Sequence, residues 1–144
     1  MIIVIGAGPA GLAAAEAASR NGSDVVLLDS ASRMGGQYWR HRDSVKGYRS
    51  DRADTLFKKV AAAPSITHIT EAAVWSIEKE GELFRVNYLQ GGQESSLTAE
   101  KLILTTGAYD RSLPFPGWDK PGSMTPGAAQ ALLKGHGVLA GKRV

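Results

Sequence analysis

Between Ile2 and Asp29 the chain reads IIVIGAGPAGLAAAEAASRNGSDVVLLD, and few folds accommodate that order of parts. An apolar run, Ile2 to Ile5, leads straight into Gly6-Ala7-Gly8-Pro9-Ala10-Gly11. An alanine-rich segment follows, then Gly22, a second apolar run from Val25 to Leu28, and an acid at Asp29. Strand, glycine turn, helix, strand and acid, in that order, build the half-site for the ADP part of a dinucleotide. Gly6 permits the tight turn off the first strand, Gly8 lets backbone approach a pyrophosphate, and Gly11 lets the helix pack on the strands. Pro9 suits an early helical position because it has no N–H to waste. Its neighbours Ala10 and Gly11 open a helix whose unpaired N–H groups favour phosphate. Asp29, at the tip of the second strand, is placed to accept both hydrogen bonds of a ribose diol. A carboxylate there repels a ribose phosphate, which argues for FAD or NAD over NADP.

A glycine pattern alone would be weak, because most glycine-rich turns are only turns. Here the flanking strands, Ala15, Gly22 and the acid all agree. Composition sets the bounds. The 144 residues suffice for one domain with a real core, and 43% apolar with 22% charged residues is ordinary for a globular protein. Cysteine is absent, which excludes a redox-active disulfide, a thiolate nucleophile, a cysteine-held iron–sulfur cluster and a Cys zinc site within the chain. His41, His68 and His136 lack metal-ligand spacing and read as surface or loop residues. A chain that opens on a buried-type strand, with no basic leader and no bilayer-length apolar run, is expected to be cytoplasmic. Basic residues gather from Arg33 to Arg52 (Arg33, Arg40, Arg42, Lys46, Arg49), interrupted by Asp43 and Asp51. They read as a solvated loop or as a patch for cofactor phosphate or a partner subunit. No nucleic-acid motif accompanies them.

After Asp29 comes a long loop carrying Gly35-Gly36-Gln37, Tyr38 and Trp39. The pattern then predicts a helix from about Ala53 to Ala63, stopped by Pro64, and a short strand over Ile66–Thr70. Residues 73–101 alternate apolar and polar, with turns at Glu80-Gly81 and Gly91-Gly92, the pattern of an antiparallel meander with one solvated face. Leu102 to Thr106 returns to buried-strand character and ends at Gly107. A proline-rich connection leads to a helix of about Pro126 to Lys134, N-capped by Thr125. The fold class is α/β: a Rossmann-like parallel sheet with an antiparallel meander inserted.

The fingerprint, the GGQ loop, the meander and the strand ending in Thr105-Thr106-Gly107-Ala108 resemble the FAD-binding domain of the pyridine nucleotide–disulfide oxidoreductase superfamily. The stretch GAYDRSLPFPGW is narrower. It is similar to the FAD/NAD-binding subunits of dye-linked amino-acid dehydrogenases, opine oxidases and hydrogen cyanide synthase. That resemblance implies that Gly6, Gly8, Pro9 and Ala10 surround the pyrophosphate of FAD, and that Asp29, with Ser30 beside it, binds the adenosine ribose. Gly36 and Gln37 would meet the pyrophosphate or ribityl region. The Val74 backbone would face adenine, and Thr106, Gly107 and Ala108 would close over the dinucleotide. Blander roles stay open: Val74 as meander core, Gly107 as a strand-end turn, Gln37 as an ordinary loop residue.

The chain departs from that family in lacking the cysteine pair, so thiol–disulfide chemistry is out. It also stops where a second dinucleotide domain, the place for NAD in relatives, is expected to begin at residues 141–144. Residues 1–140 are then the N-terminal part of the FAD-binding domain. The strand that would pair beyond Leu102–Thr105 is missing, which leaves a sheet edge for self-association or another oxidoreductase subunit. No catalytic residue stands out; Asp110 and Arg111 read as a loop salt bridge. Two functions fit. One is the FAD-binding portion of an oxidoreductase subunit that passes electrons in amino-acid or opine dehydrogenation. The other is a free-standing dinucleotide-binding module without turnover.

Overall fold

Ile2–Ile5 forms β1, and its side chains divide cleanly between two cores. Ile3 and Ile5 enter one cluster with Val26, Leu28, Ala72, Val86, Tyr88 and Ala99. Val4 enters the other with Leu12, Ala15, Val25, Leu27 and Val60. A strand buried on both faces needs an unbroken apolar run, which is what β1 and β2 (Val25–Leu28) carry. The computed structural model describes residues 1–39 and 51–141. Most of the basic cluster between Arg33 and Arg52 therefore lies outside the described residues.

The element order is β1, α1 (Pro9–Arg20), β2, α2 (Asp51–Ala62), β3 (Ile66–Ile69), β4 (Ala72–Glu80), β5 (Leu83–Gln90), β6 (Gln93–Ala99), β7 (Lys101–Leu104), α3 (Pro126–Ala131) and a π-helical segment, Leu132–His136. A parallel sheet in the order β3-β2-β1-β7 forms the middle layer. Val60, with Leu56 and Phe57 packed alongside, brings α2 to the same core as α1. The antiparallel meander β4-β5-β6 covers the other face. The chain is thus a Rossmann-like α/β domain whose meander replaces the helical crossover between β3 and β7.

The meander has the solvated face that its alternation predicts. Arg85 pairs with Glu80 through Nε at 2.7 Å and Nη2 at 2.8 Å, and Asn87 donates to Glu78 at 3.1 Å. These exposed pairs add little stability. The register slips between Val74 and Ser76, a bulge that sets Val74 opposite Tyr88 and Ile77 opposite Val86 despite their odd spacing; Val74 packs on the core, while Ile77 stays exposed.

Several boundaries differ from expectation, among them β3, which ends at Ile69 rather than Thr70, and β7, which begins at Lys101 rather than Leu102. Helix α2 begins at Asp51, two residues before Ala53, and ends before Pro64 as expected. Strand β7 stops at Leu104, because Thr105 turns its hydroxyl back onto the glycine turn. The last helix starts at Pro126 under a Thr125 cap, whose Oγ1 accepts from the Ala128 N–H at 3.2 Å. It runs to His136, past Lys134, by widening into a π turn. Strand β7 is one edge of the sheet, with β3 the other, and Leu104 in β7 is 60% exposed. No described helix is long and apolar enough to cross a membrane.

Candidate functional site

Strands β1, β2 and β7 run parallel in register, with Ile5 opposite both Leu28 and Leu104. The glycine turn, Asp29 and the Thr105–Ala108 segment therefore leave the sheet at one carboxyl edge, where open α/β sheets bind ligands. Gly6 has φ +103°, and a Cβ there would sit 2.3 Å from the Thr105 carbonyl oxygen. Only glycine fits. Gly11 is equally confined: its Cβ would lie 1.7 Å from the Gly6 oxygen and 2.6 Å from Thr105 Oγ1.

Gly8 is different. A Cβ placed on it meets nothing within 4 Å. Gly8 is the N-cap of α1, with no side-chain cap, Pro9 following and no acid in the first turn. The helix opening therefore presents uncapped N–H groups and positive dipole to open space, with no acid in its own first turn to repel an anion. Ala10 is exposed at that opening and Gly11 buried beneath it. The GGQ loop joins the same place. Gly35 N–H donates to the Ala7 oxygen at 2.7 Å, and a Cβ on Gly36 would come within 3.0 Å of Gly8 Cα. Gln37 is exposed.

Asp29 is 9% exposed, and its carboxylate is engaged by backbone. Oδ2 accepts from the Ala7 N–H, and Oδ1 accepts from the Ala31 N–H at 2.6 Å. Each oxygen keeps a second lone pair, so the side chain can brace the glycine turn and still accept from a ligand. Ser30, next to it, is exposed. The start of β4 is tied alongside, since Ala72 N–H donates to the Asp29 oxygen at 2.9 Å. Val74, two residues on, packs its side chain against the meander core. Thr106, Gly107 and Ala108 are exposed beyond β7.

The residue the fingerprint does not reveal is Thr105. Its hydroxyl lies 2.8 Å from the Ile5 oxygen and 2.9 Å from the Gly6 oxygen, clamping β7 to the turn. The signal for it is register: Ile5 opposite Leu104 places the next residue opposite Gly6. Asp110 also corrects expectation. Where an ion pair with Arg111 was expected, Asp110 Oδ2 accepts from the Gly127 N–H at 2.8 Å and so holds the start of α3. An acceptor at a helix start satisfies a donor that would otherwise lack a partner.

His68 is likewise not a surface or loop residue. It lies in β3, partly buried, and its Nε2 is buried without a partner. Burial pushes its pKa below the usual 6.5, against the opposing pull of the Asp29 carboxylate. The folded protein therefore protonates His68 less readily than the unfolded chain, which takes up a proton below about 6.5. Stability is full above that value and falls as pH drops below it. Thermal unfolding midpoints are expected to decline between about pH 7.5 and about pH 5.5, with a smaller decline in His68→Leu. Equal slopes in both proteins would refute the assignment. Among the described residues no cluster of His, Asp or Glu could hold a metal.

The family model for the pyridine nucleotide-disulphide oxidoreductases matches residues 1–137. The chain is 34% identical over 152 aligned residues to an opine oxidase component of Agrobacterium tumefaciens (strain Ach5), an alignment spanning 96% of this chain and 30% of that protein. It is 33% identical to the alpha subunit of sarcosine oxidase from Corynebacterium sp. (strain P-1), over 99% of this chain and 16% of that one. Among solved structures, L-proline dehydrogenase from P. horikoshii superposes with a TM-score of 0.76 at 25% identity, covering 98% of this chain and 29% of that one. The chain thus spans under a third of the length of these relatives.

Proposed function

The chain belongs to the pyridine nucleotide-disulphide oxidoreductase family, and from that premise we propose that residues 1–140 are the ADP-holding part of an FAD-binding domain in an oxidoreductase subunit. The observation that carries the reading is the open space at Gly8, framed by an uncapped helix start and by Gly36. In this reading the pyrophosphate lies against Gly6, Gly8, Pro9 and Ala10, with Gly11 keeping the helix close beneath. Gly36 and Gln37 border the pyrophosphate from the second loop. Asp29, with Ser30 beside it, takes the adenosine ribose, and the Val74 backbone borders adenine. Thr106, Gly107 and Ala108 close the far side.

FAD, when bound, supplies the electron-transfer chemistry; these residues bind and orient it. The relatives' names support an amine or opine-type donor and partner subunits. Their greater length leaves room for a second dinucleotide domain beginning at residues 141–144, where NAD would bind in this reading. The exposed edge of β7 is where further polypeptide, a partner subunit or a second copy would pair.

The test is a visible spectrum of the purified chain with FAD, NAD and ADP added in turn. Retained flavin that an amino-acid or opine donor bleaches, with a dye as acceptor, supports the reading in full. Binding of FAD and ADP with equal affinity and no bleaching supports a binding module without turnover. Failure to bind FAD or ADP overturns the cofactor assignment.

A further inference from the structure

The loop that brings Gly36 to Gly8 is gripped from a distant part of the chain. Lys134, within the π-helical segment, donates from Nζ to the Tyr38 carbonyl oxygen at 3.1 Å. The same ammonium lies 4.1 Å from the centroid of the Tyr38 ring, within range of a cation–π contact. Tyr38 is 61% exposed, so burial does not fix it. One cation holding both backbone and ring of a single residue restrains its peptide as well as its side chain.

From Tyr38 the contacts lead to the glycine turn. Trp39 N–H donates to the Gly35 oxygen at 3.0 Å, and its ring packs edge-on against Phe57 of α2 at 5.7 Å. Gly35 N–H holds the Ala7 oxygen, and Gly36 abuts Gly8. At the other end of the same helical stretch, Asp110 holds Gly127 N–H. Residues 126–136 are thus pinned at one end to the segment after β7 and at the other to the GGQ loop. A π turn shifts the residues within it out of the register of the preceding helix, and such turns are frequent at functional sites. Lys134 stands in this one.

We infer that Lys134 is a positioning residue for the dinucleotide, keeping the Gly35–Gln37 turn against Gly8 by its hold on Tyr38. The inference rests on the cofactor reading above. It is tested in Lys134→Met, which keeps the aliphatic stem and loses the cation, by titration with ADP, FAD and AMP. AMP has no pyrophosphate to span Gly8. Loss of a charged hydrogen bond and a cation–π contact should weaken ADP and FAD roughly tenfold, with AMP changed by less than about twofold. A Trp75→Phe/Trp118→Phe background leaves Trp39 as the sole indole. There, Lys134→Met should red-shift the emission and raise iodide quenching without any ligand. Unchanged ADP affinity, equal loss of ADP and AMP, or unaltered Trp39 emission each overturns the inference alone. A wild-type chain that binds neither FAD nor ADP overturns the cofactor reading itself, and this inference with it.

Discussion

Gly8→Val is expected to lower FAD and ADP affinity by at least about a hundredfold while leaving the fold in place. Two charge-assisted hydrogen bonds to a pyrophosphate, at about 1.5–3 kcal/mol each, are enough for that loss. The backbone at Gly8 is extended, with φ −73° and ψ −178°, and a Cβ there enters open space. Valine adopts that conformation without strain. Two small effects on stability oppose each other. A branched residue is a poorer N-cap than glycine, but it also reduces the freedom of the unfolded chain. The unfolding midpoint should therefore move by no more than about 3 °C. Gly8→Ala should shift both readouts in the same directions, with a smaller loss of affinity. A folded Gly8→Val protein that binds ADP as tightly as wild type would remove the pyrophosphate from this place.

That contrast marks how far the sequence could be read. The order strand, glycine turn, helix, strand, acid was legible because each part obeys a local rule: an apolar run for a doubly buried strand, and glycine where no Cβ can stand. The meander was legible for the same reason, its period of two separating core from solvent. What escaped was set by partners remote in sequence. Thr105 looks no different from Thr106 until β7 is placed in register beside β1. Asp110 and Arg111 read as a local ion pair, yet the acid reaches across to the Gly127 N–H. Nothing near Lys134 announces Tyr38, and although the pattern sets His68 in a strand, nothing near it announces a buried, unpartnered nitrogen. The two carboxylate bonds of Asp29 to backbone also lay beyond the pattern. The fingerprint assigns that acid to a ribose, whereas the folded chain uses it first to brace its own glycine turn.

Gly11→Ala reverses the order of effects seen at Gly8: stability should fail first, and binding only as a consequence. A methyl group at Gly11 would lie 1.7 Å from the Gly6 carbonyl oxygen. Gly6 cannot yield, because its N–H is bonded to the Leu28 oxygen at 2.7 Å and the Thr105 carbonyl lies close behind its Cα. The helix must move instead, withdrawing Leu12 and Ala15 from the core they share with Val4, Val25 and Leu27. Alanine's better helix propensity returns about 1 kcal/mol, while overpacking and the loosened core cost more. A net loss of about 3 kcal/mol is expected, or a fall of about 10 °C in the unfolding midpoint by circular dichroism. The double variant Gly11→Ala/Thr105→Ala identifies which contact is responsible. Trimming Thr105 removes the hydroxyl 2.6 Å away but leaves the backbone oxygen of Gly6, so it should give no rescue. A midpoint within about 2 °C of wild type for the single variant, or full recovery in the double, would show that the turn is looser than this packing requires.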